Sequence, residues 1–264
     1  SYTFDGGRLQ TDVVARTFSH FKPGQAVTLG GLTINADGVP RRGDSPCLRG
    51  PMRFLILNDG TDLWGHGAQR YDEVEETFPV VSSAIFEGPV TAKLRQRLTC
   101  RKSTIDVVYS LYRDLPGLHV EIDVNWAEDR KILKMEIVAE SVAGTFTMQA
   151  AGGCVSRKAD GTEMPLHAWV WVPDRTCGLA IVQDGAFACD CLAGRLRLTL
   201  VRSNIYSYHE PIRLGPDDPQ PLTDQGCHTF RLCLLPNHQF NARAMDRLTA
   251  TFLEPYPIIR EGFR

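Results

Sequence analysis

The sequence predicts an all-β fold: a large antiparallel β-sandwich with one short helix near the C-terminus. Three observations predict it. Leu118, Val120, Ile122, Val124 and Trp126 alternate with His119, Glu121, Asp123 and Asn125, the period-two pattern of a strand with one face buried. Short apolar runs are cut by turn signals such as Gly6-Gly7, Pro23-Gly24, Gly30-Gly31, Asp37-Gly38 and Leu115-Pro116-Gly117. Helical spacing is confined to Phe240, Ala244, Leu248 and Phe252, which Pro255 stops. Many short strands and one late helix pack most simply as two facing antiparallel sheets. With no internal repeat and no low-complexity linker, residues 1–264 read as a single domain.

Taken in order, residues 1–40 read as three or four short strands, and residues 40–51, rich in Arg, Gly and Pro, as an exposed loop. Phe54-Leu55-Ile56-Leu57 is a strand, and the acidic residues 71–77 belong on the surface. Val90, Ala92, Leu94 and Leu98 alternate with polar neighbours, while residues 105–112 are apolar on both faces, as in a central strand. Leu133, Met135 and Ile137 continue the one-faced pattern. Residues 144–163 read as an irregular Gly-rich connection, followed by strands at 168–172 and 178–183 joined at Pro173-Asp174. Leu196, Leu198 and Leu200 oppose Arg197 and Thr199; residues 205–223 read as a long loop and 229–235 as the last core strand. Trp126, Trp169 and Trp171 are assigned to the core.

The chain has 264 residues, 43% of them hydrophobic, enough for a sizeable core. A net charge of −2 with scattered arginines argues against a nucleic-acid partner. No apolar run approaches the roughly 20 residues needed to span a bilayer. The eight cysteines form no Cys-x-x-Cys pair, and they read as reduced, small hydrophobes of a cytoplasmic protein.

The richest chemistry lies in residues 58–67, Asn-Asp-Gly-Thr-Asp-Leu-Trp-Gly-His-Gly. Glycines let a loop leaving a strand aim several polar groups at one point. Trp64 supplies a flat apolar face, and Asp59, Asp62 and His66 supply acceptors and a titratable ring, a set suited to a sugar. The same residues also read as a turn whose Asp side chains hold their own backbone. As a retaining glycosidase pair, Asp59 and Asp62 would need carboxyl groups about 5 Å apart. The spacing of His66 and His228 gives no sign of shared metal coordination.

Several blocks resemble glycoside hydrolase family 38, the α-mannosidases. They are residues 58–67; residues 103–112 with 118–126 and Lys131-Ile132-Leu133-Lys134; Gly178-Leu179-Ala180-Ile181-Val182-Gln183-Asp184; and residues 196–203 with Asp224-Gln225-Gly226-Cys227-His228-Thr229-Phe230. They keep their order from about residue 49 to 238. The chain departs from the family at residues 146–152 and at Asn204, where Pro is usual. It also contains no His-x-Asp, the motif that opens the family's zinc-bearing α/β domain.

The resemblance implies a C-terminal β-sandwich of the supersandwich type shared with galactose mutarotases, a piece of a longer glycoside hydrolase. Zinc and the catalytic Asp nucleophile are then expected in an N-terminal catalytic domain outside these residues. No catalytic residue and no metal site are expected within them. The implied partners are an α-mannoside, bound through the parent enzyme, and the chain's own catalytic domain; a homo-oligomer is compatible. By the same analogy Asp59, Asp62, Trp64 and His66 would wall one side of the sugar pocket, with Arg202, Asp224, Gln225 and His228 adding polar contacts. Two other classes stay open: a mutarotase- or epimerase-like domain using His119, Glu121 and Asp123 on one strand face, and a free-standing carbohydrate-binding module.

Overall fold

The computed structural model describes residues 2–5, 8–11, 19–20, 26–65, 67–139, 144–174, 177–205 and 221–253. The alternating stretch forms the strand Leu118–Trp126. Its apolar residues are buried, and Glu121, Asp123 and Asn125 are exposed. It stands inside a ten-stranded sheet ordered Gly153–Lys158, Thr145–Ala150, Trp169–Pro173, Gly178–Asp184, Gly226–Leu235, Leu118–Trp126, Ser103–Tyr112, Thr91–Cys100, Val80–Glu87 and Ser19–His20. A six-stranded sheet runs Met164–Pro165, Ala188–Leu192, Arg195–Ser203, Lys131–Val138, Arg53–Asn58 and Val74–Thr77. Neighbouring strands in both sheets are antiparallel.

The apolar faces of the two sheets meet in one core. Leu94, Val107 and Ile122 of the larger sheet join Ile56, Met135 and Leu198 of the smaller. A small four-stranded sheet, Ala26–Leu29, Leu32–Asn35, Pro40–Arg42 and Ser45–Pro46, adds Val27 and Ile34 to the same core. The fold is the all-β sandwich that the sequence predicts.

Several local expectations are corrected. Residues 40–51 hold two short paired strands and a buried Leu48, where the sequence reading placed an exposed loop. Residues 144–163 contain the hairpin Thr145–Ala150 with Gly153–Lys158; its outer strand is solvated at the sheet edge and so lacks an apolar alternation. Five short strands precede Pro40 among the described residues. In Ser103–Tyr112 only one face is fully buried; Thr104, Asp106 and Val108 on the other are half-buried. Lys131–Val138 is the reverse case, buried on both faces through its interior. The acidic Val74–Thr77 is exposed as expected, and it is the edge strand of the six-stranded sheet. Of the long loop expected at 205–223, residues 206–220 lie outside the described residues.

The helix is Ala242–Leu253, capped by Asn241, whose Oδ1 accepts from the Ala244 amide at 3.0 Å. It covers part of the outer face of the large sheet, packing Met245 on Trp169, Ala180, Val182 and Leu235. Its buried line is Met245 and Thr249, one position round from the Ala244–Leu248–Phe252 stripe read in the sequence. Trp126 and Trp169 are buried as assigned; Trp171 is half-buried, its indole donating to the His238 carbonyl at 2.9 Å. Among the described residues no helix is long and apolar enough to cross a membrane.

The turn into Leu118–Trp126 needs glycine for two reasons. Gly117 has φ +86°, and a Cβ there would stand 2.5 Å from the Leu234 carbonyl oxygen. Gly117→Ala is expected to destabilise the fold by about 2 kcal/mol or more. The midpoint of chemical denaturation measures this, and an unchanged midpoint would contradict the tight approach.

Candidate functional site

The loop that follows Arg53–Asn58 is fastened at its start. Asp59 accepts on Oδ1 from the Thr61 amide at 3.0 Å and the Thr61 hydroxyl at 2.6 Å, closing a turn on its own backbone. Its Oδ2 accepts from Arg202 Nε at 2.7 Å. The same guanidinium donates through Nη2 to Thr61 Oγ1 at 2.6 Å and to the Asp62 carbonyl at 2.8 Å. Asp62 Oδ1 in turn accepts from the Trp64 amide at 2.9 Å. Asp59 and Asp62 are buried, whereas Trp64, held immediately after them, is 72% exposed. The loop thus uses its carboxylates inwardly and presents its indole outwardly.

Arg202 comes from Arg195–Ser203 in the six-stranded sheet. Its Cζ lies 5.5 Å from the Tyr71 ring centroid, and Lys134 Nζ approaches the same ring at 5.6 Å. Lys134 is fully buried and donates to Asp190 at 2.6 Å and to Glu163. Asp190 also accepts from Arg197 Nε at 2.8 Å, and Arg197 reaches Asp72 at 3.1 Å. Burial pushes the Asp190 carboxyl up, against the pull of Lys134 and Arg197 toward its charged form. The returning segment 69–73 therefore rests on a paired ionic layer on the outer face of the sheet. The sequence reading missed this layer, and with it Tyr71, Lys134, Glu163 and Asp190. The one available signal was Lys134, a lysine centred in the apolar run Ile132-Leu133-Lys134-Met135.

The segment at 223–225 joins from the other side. Thr223 Oγ1 donates to the Arg202 carbonyl at 3.1 Å, and Gln225 Nε2 to the Glu128 carbonyl at 2.9 Å. Ser203 Oγ donates to the same Glu128 carbonyl and accepts from Trp126 Nε1 at 2.9 Å. Asp224 adopts φ 52°, and its carbonyl accepts from His228 Nε2 at 2.9 Å. Of the sequence candidates, Asp59, Asp62, Trp64 and Arg202 are directly connected. Gln225 and Asp224 are tied in through the chain around Glu128 and Thr223, and His228 through the Asp224 carbonyl. His66 lies outside the described residues.

Among the described residues no group of three or more His, Cys, Asp or Glu side chains is placed to hold a metal ion. Both oxygens of Asp59 and Nε2 of His228 are engaged within the chain. Committed in this way within the chain, these donors do not fit a zinc site.

His119, Glu121 and Asp123 share a strand face, and His119 and Glu121 line one hollow with Arg231 and Phe252. His119 lies in an apolar groove of about 480 Å³ with Leu248 and Phe252, edge-on to Tyr112 at 5.1 Å. Asp123 instead accepts from Thr229 Oγ1 at 2.7 Å.

With this geometry in place, the class is that of a β-sandwich presenting a clamped aromatic loop. Residues 53–220 match the family model "Glycosyl hydrolases family 38 C-terminal domain", and the chain belongs to that family. It is 20% identical over 201 residues to alpha-mannosidase G of Dictyostelium discoideum, covering 70% of this chain and 17% of that protein. Two solved structures from Enterococcus faecalis are similar in fold. One, described as a protein in the glycosyl hydrolase family 38, gives a TM-score of 0.69 at 16% identity, covering 87% of this chain and 32% of that one. The other, described as an alpha-mannosidase, gives 0.66 at 15% identity, covering 87% and 31%. The chain spans less than a third of the length of each of these relatives.

Two outcomes are expected. Arg202→Ala leaves the buried Asp59 carboxylate unpaired and should cost about 3 kcal/mol, less than a fully enclosed pair because Arg202 keeps some contact with solvent. Denaturant unfolding measures the loss, and Arg202→Lys should recover only part of it because lysine lacks the fork. Burial also lowers the His119 imidazole from its ordinary 6.5. The unfolded chain then takes up that proton more readily, so this group's contribution makes stability fall as pH drops through about 6.5. His119→Gln should flatten that part of the stability–pH curve, and an unaltered slope would contradict the burial effect.

Proposed function

We propose that this chain is the C-terminal β-sandwich of an α-mannosidase-type glycoside hydrolase and that its 58–67 loop forms one wall of the sugar site. Membership of the family 38 C-terminal domain supports the reading, as does the likeness to proteins described as alpha-mannosidases. The observation that carries it is the contrast within the loop: two buried carboxylates and an arginine brace a tryptophan that is left 72% exposed. A braced, solvent-facing indole offers the apolar face of a sugar ring a surface whose ordering cost is already met by folding.

In this reading Trp64 stacks on substrate and His66, outside the described residues, belongs to the same wall, while Asp224, Gln225 and His228 add polar contacts. Arg202 is a positioning residue that acts through Asp59 and Asp62. Zinc and the attacking carboxylate belong to a separate N-terminal catalytic domain, against which this sandwich packs. The supersandwich description and a cytoplasmic setting belong to the same proposal; the setting is supported by eight unpaired cysteines, four of them buried.

The test is kinetic. In the complete parent enzyme, Trp64→Ala should lower kcat/KM for an aryl α-mannoside roughly tenfold. The unfolding midpoint should not move, because the indole is exposed. The 264-residue chain by itself should release no aryl leaving group. Unchanged kinetics in the variant would remove the wall role, and turnover by the isolated chain would overturn the separate catalytic domain.

A further inference from the structure

The outer face of the six-stranded sheet carries a second feature, lined by none of the residues of the 58–67 loop. Beyond the ionic layer under Tyr71, the sheet opens into a cleft of about 430 Å³. That volume falls within the range of small-molecule sites. Its floor is a cross-strand row in which Arg197 stands opposite Glu136, and Glu136 opposite Arg53. Arg53 donates to Glu136, and Arg197 is held by Asp190 and Asp72, so these charges largely answer one another. Arg195 on the rim is different. Among the described residues its guanidinium has no ion pair or hydrogen bond, and it adds an uncompensated positive charge.

Three kinds of surface therefore converge. Arg195, with the 43%-exposed side chain of Arg53, offers donors to an anion. Asp72, whose side chain is 57% exposed, offers a carboxylate oxygen suited to hydroxyl groups. Leu55, Val74 and Leu192 offer apolar contact between them, and the last two are 43% and 44% exposed. A bare inorganic anion would leave the apolar and acceptor parts unused. A neutral sugar would leave Arg195 unanswered.

We propose that this cleft binds a small anionic sugar, its phosphate or carboxylate on Arg195 and Arg53, its hydroxyls on Asp72. The proposal does not depend on the mannosidase reading, because the cleft shares none of its lining with the 58–67 loop or Arg202.

Calorimetric titration of the 264-residue protein with glucose 6-phosphate, glucuronate, inorganic phosphate and glucose tests it. At least one of the two anionic sugars should bind about tenfold or more tightly than both phosphate and glucose, and which one does so identifies the anion. Arg195→Gln should weaken that binding about tenfold, the effect of one lost charge-assisted contact. Leu192→Glu, an exposed change that introduces a negative charge, should abolish it, and Trp64→Ala should leave it unchanged. The proposal fails if neither anionic sugar exceeds glucose, if Arg195→Gln and Leu192→Glu both retain full affinity, or if Trp64→Ala removes the binding.

Discussion

One guanidinium governs the end of this sandwich. A buried carboxylate is costly unless its oxygens are answered, and Asp59 is buried at the point where the chain leaves the sheet. Arg202 answers it from a neighbouring part of the same sheet, and the flat fork lets one side chain also bind Thr61 and the Asp62 carbonyl. A point charge such as lysine could satisfy Asp59 but could not hold the next turn of chain in the same plane. The loop's conformation is thus set by hydrogen-bond geometry, and the exposure of Trp64 follows from it. Hydrophobicity alone would favour burying the indole.

The same logic extends across the outer face of the six-stranded sheet. A sheet packed on one side normally leaves its other face to water. Here the excursion between residues 58 and 73 folds back over it, and burying that face encloses Lys134, Asp190 and Arg197. Each cation meets a carboxylate within hydrogen-bond distance, so the layer is neutralised where it is driest. Ion layers of this kind contribute little net stability compared with apolar packing of equal volume, because desolvation offsets the attraction. Their consequence is geometric: sliding the 69–73 segment by a residue would leave Arg197 without Asp72, and Lys134 and Arg202 without the Tyr71 ring.

Legibility in the sequence follows from which faces meet water. Leu118–Trp126 was readable because one face is solvated, so polarity alternates residue by residue. Lys131–Val138 lost that contrast when its second face was covered, and Lys134 there reads as an ordinary surface lysine. The edge strand Gly153–Lys158 hid for the opposite reason, since it buries so little that nothing marks it apolar. The loop candidates were legible because Gly, Asp and Trp carry their conformational and chemical roles locally. Their partners were not: Arg202 lies 143 residues from Asp59, and Glu163 and Asp190 meet Lys134 only through the sheet topology. Local pattern can identify a group that needs a partner, but it cannot say which distant strand supplies one.

The covering segment also divides the sheet's outer face into two unlike surfaces. At one end the fork of Arg202 is turned largely to the chain itself, and Trp64 is left exposed. At the other end the row Arg197–Glu136–Arg53 is internally balanced, yet Arg195 adds a cation that nothing in the described chain answers. Lys134 and Arg202 both approach the Tyr71 ring, at 5.6 and 5.5 Å. In the two readings proposed, the surfaces select by different physics, one by stacking and the other by charge, and a neutral ring that suits the first has no reason to occupy the second. They can differ on one sheet because the cations and carboxylates of the layer beneath Tyr71 pair largely with one another.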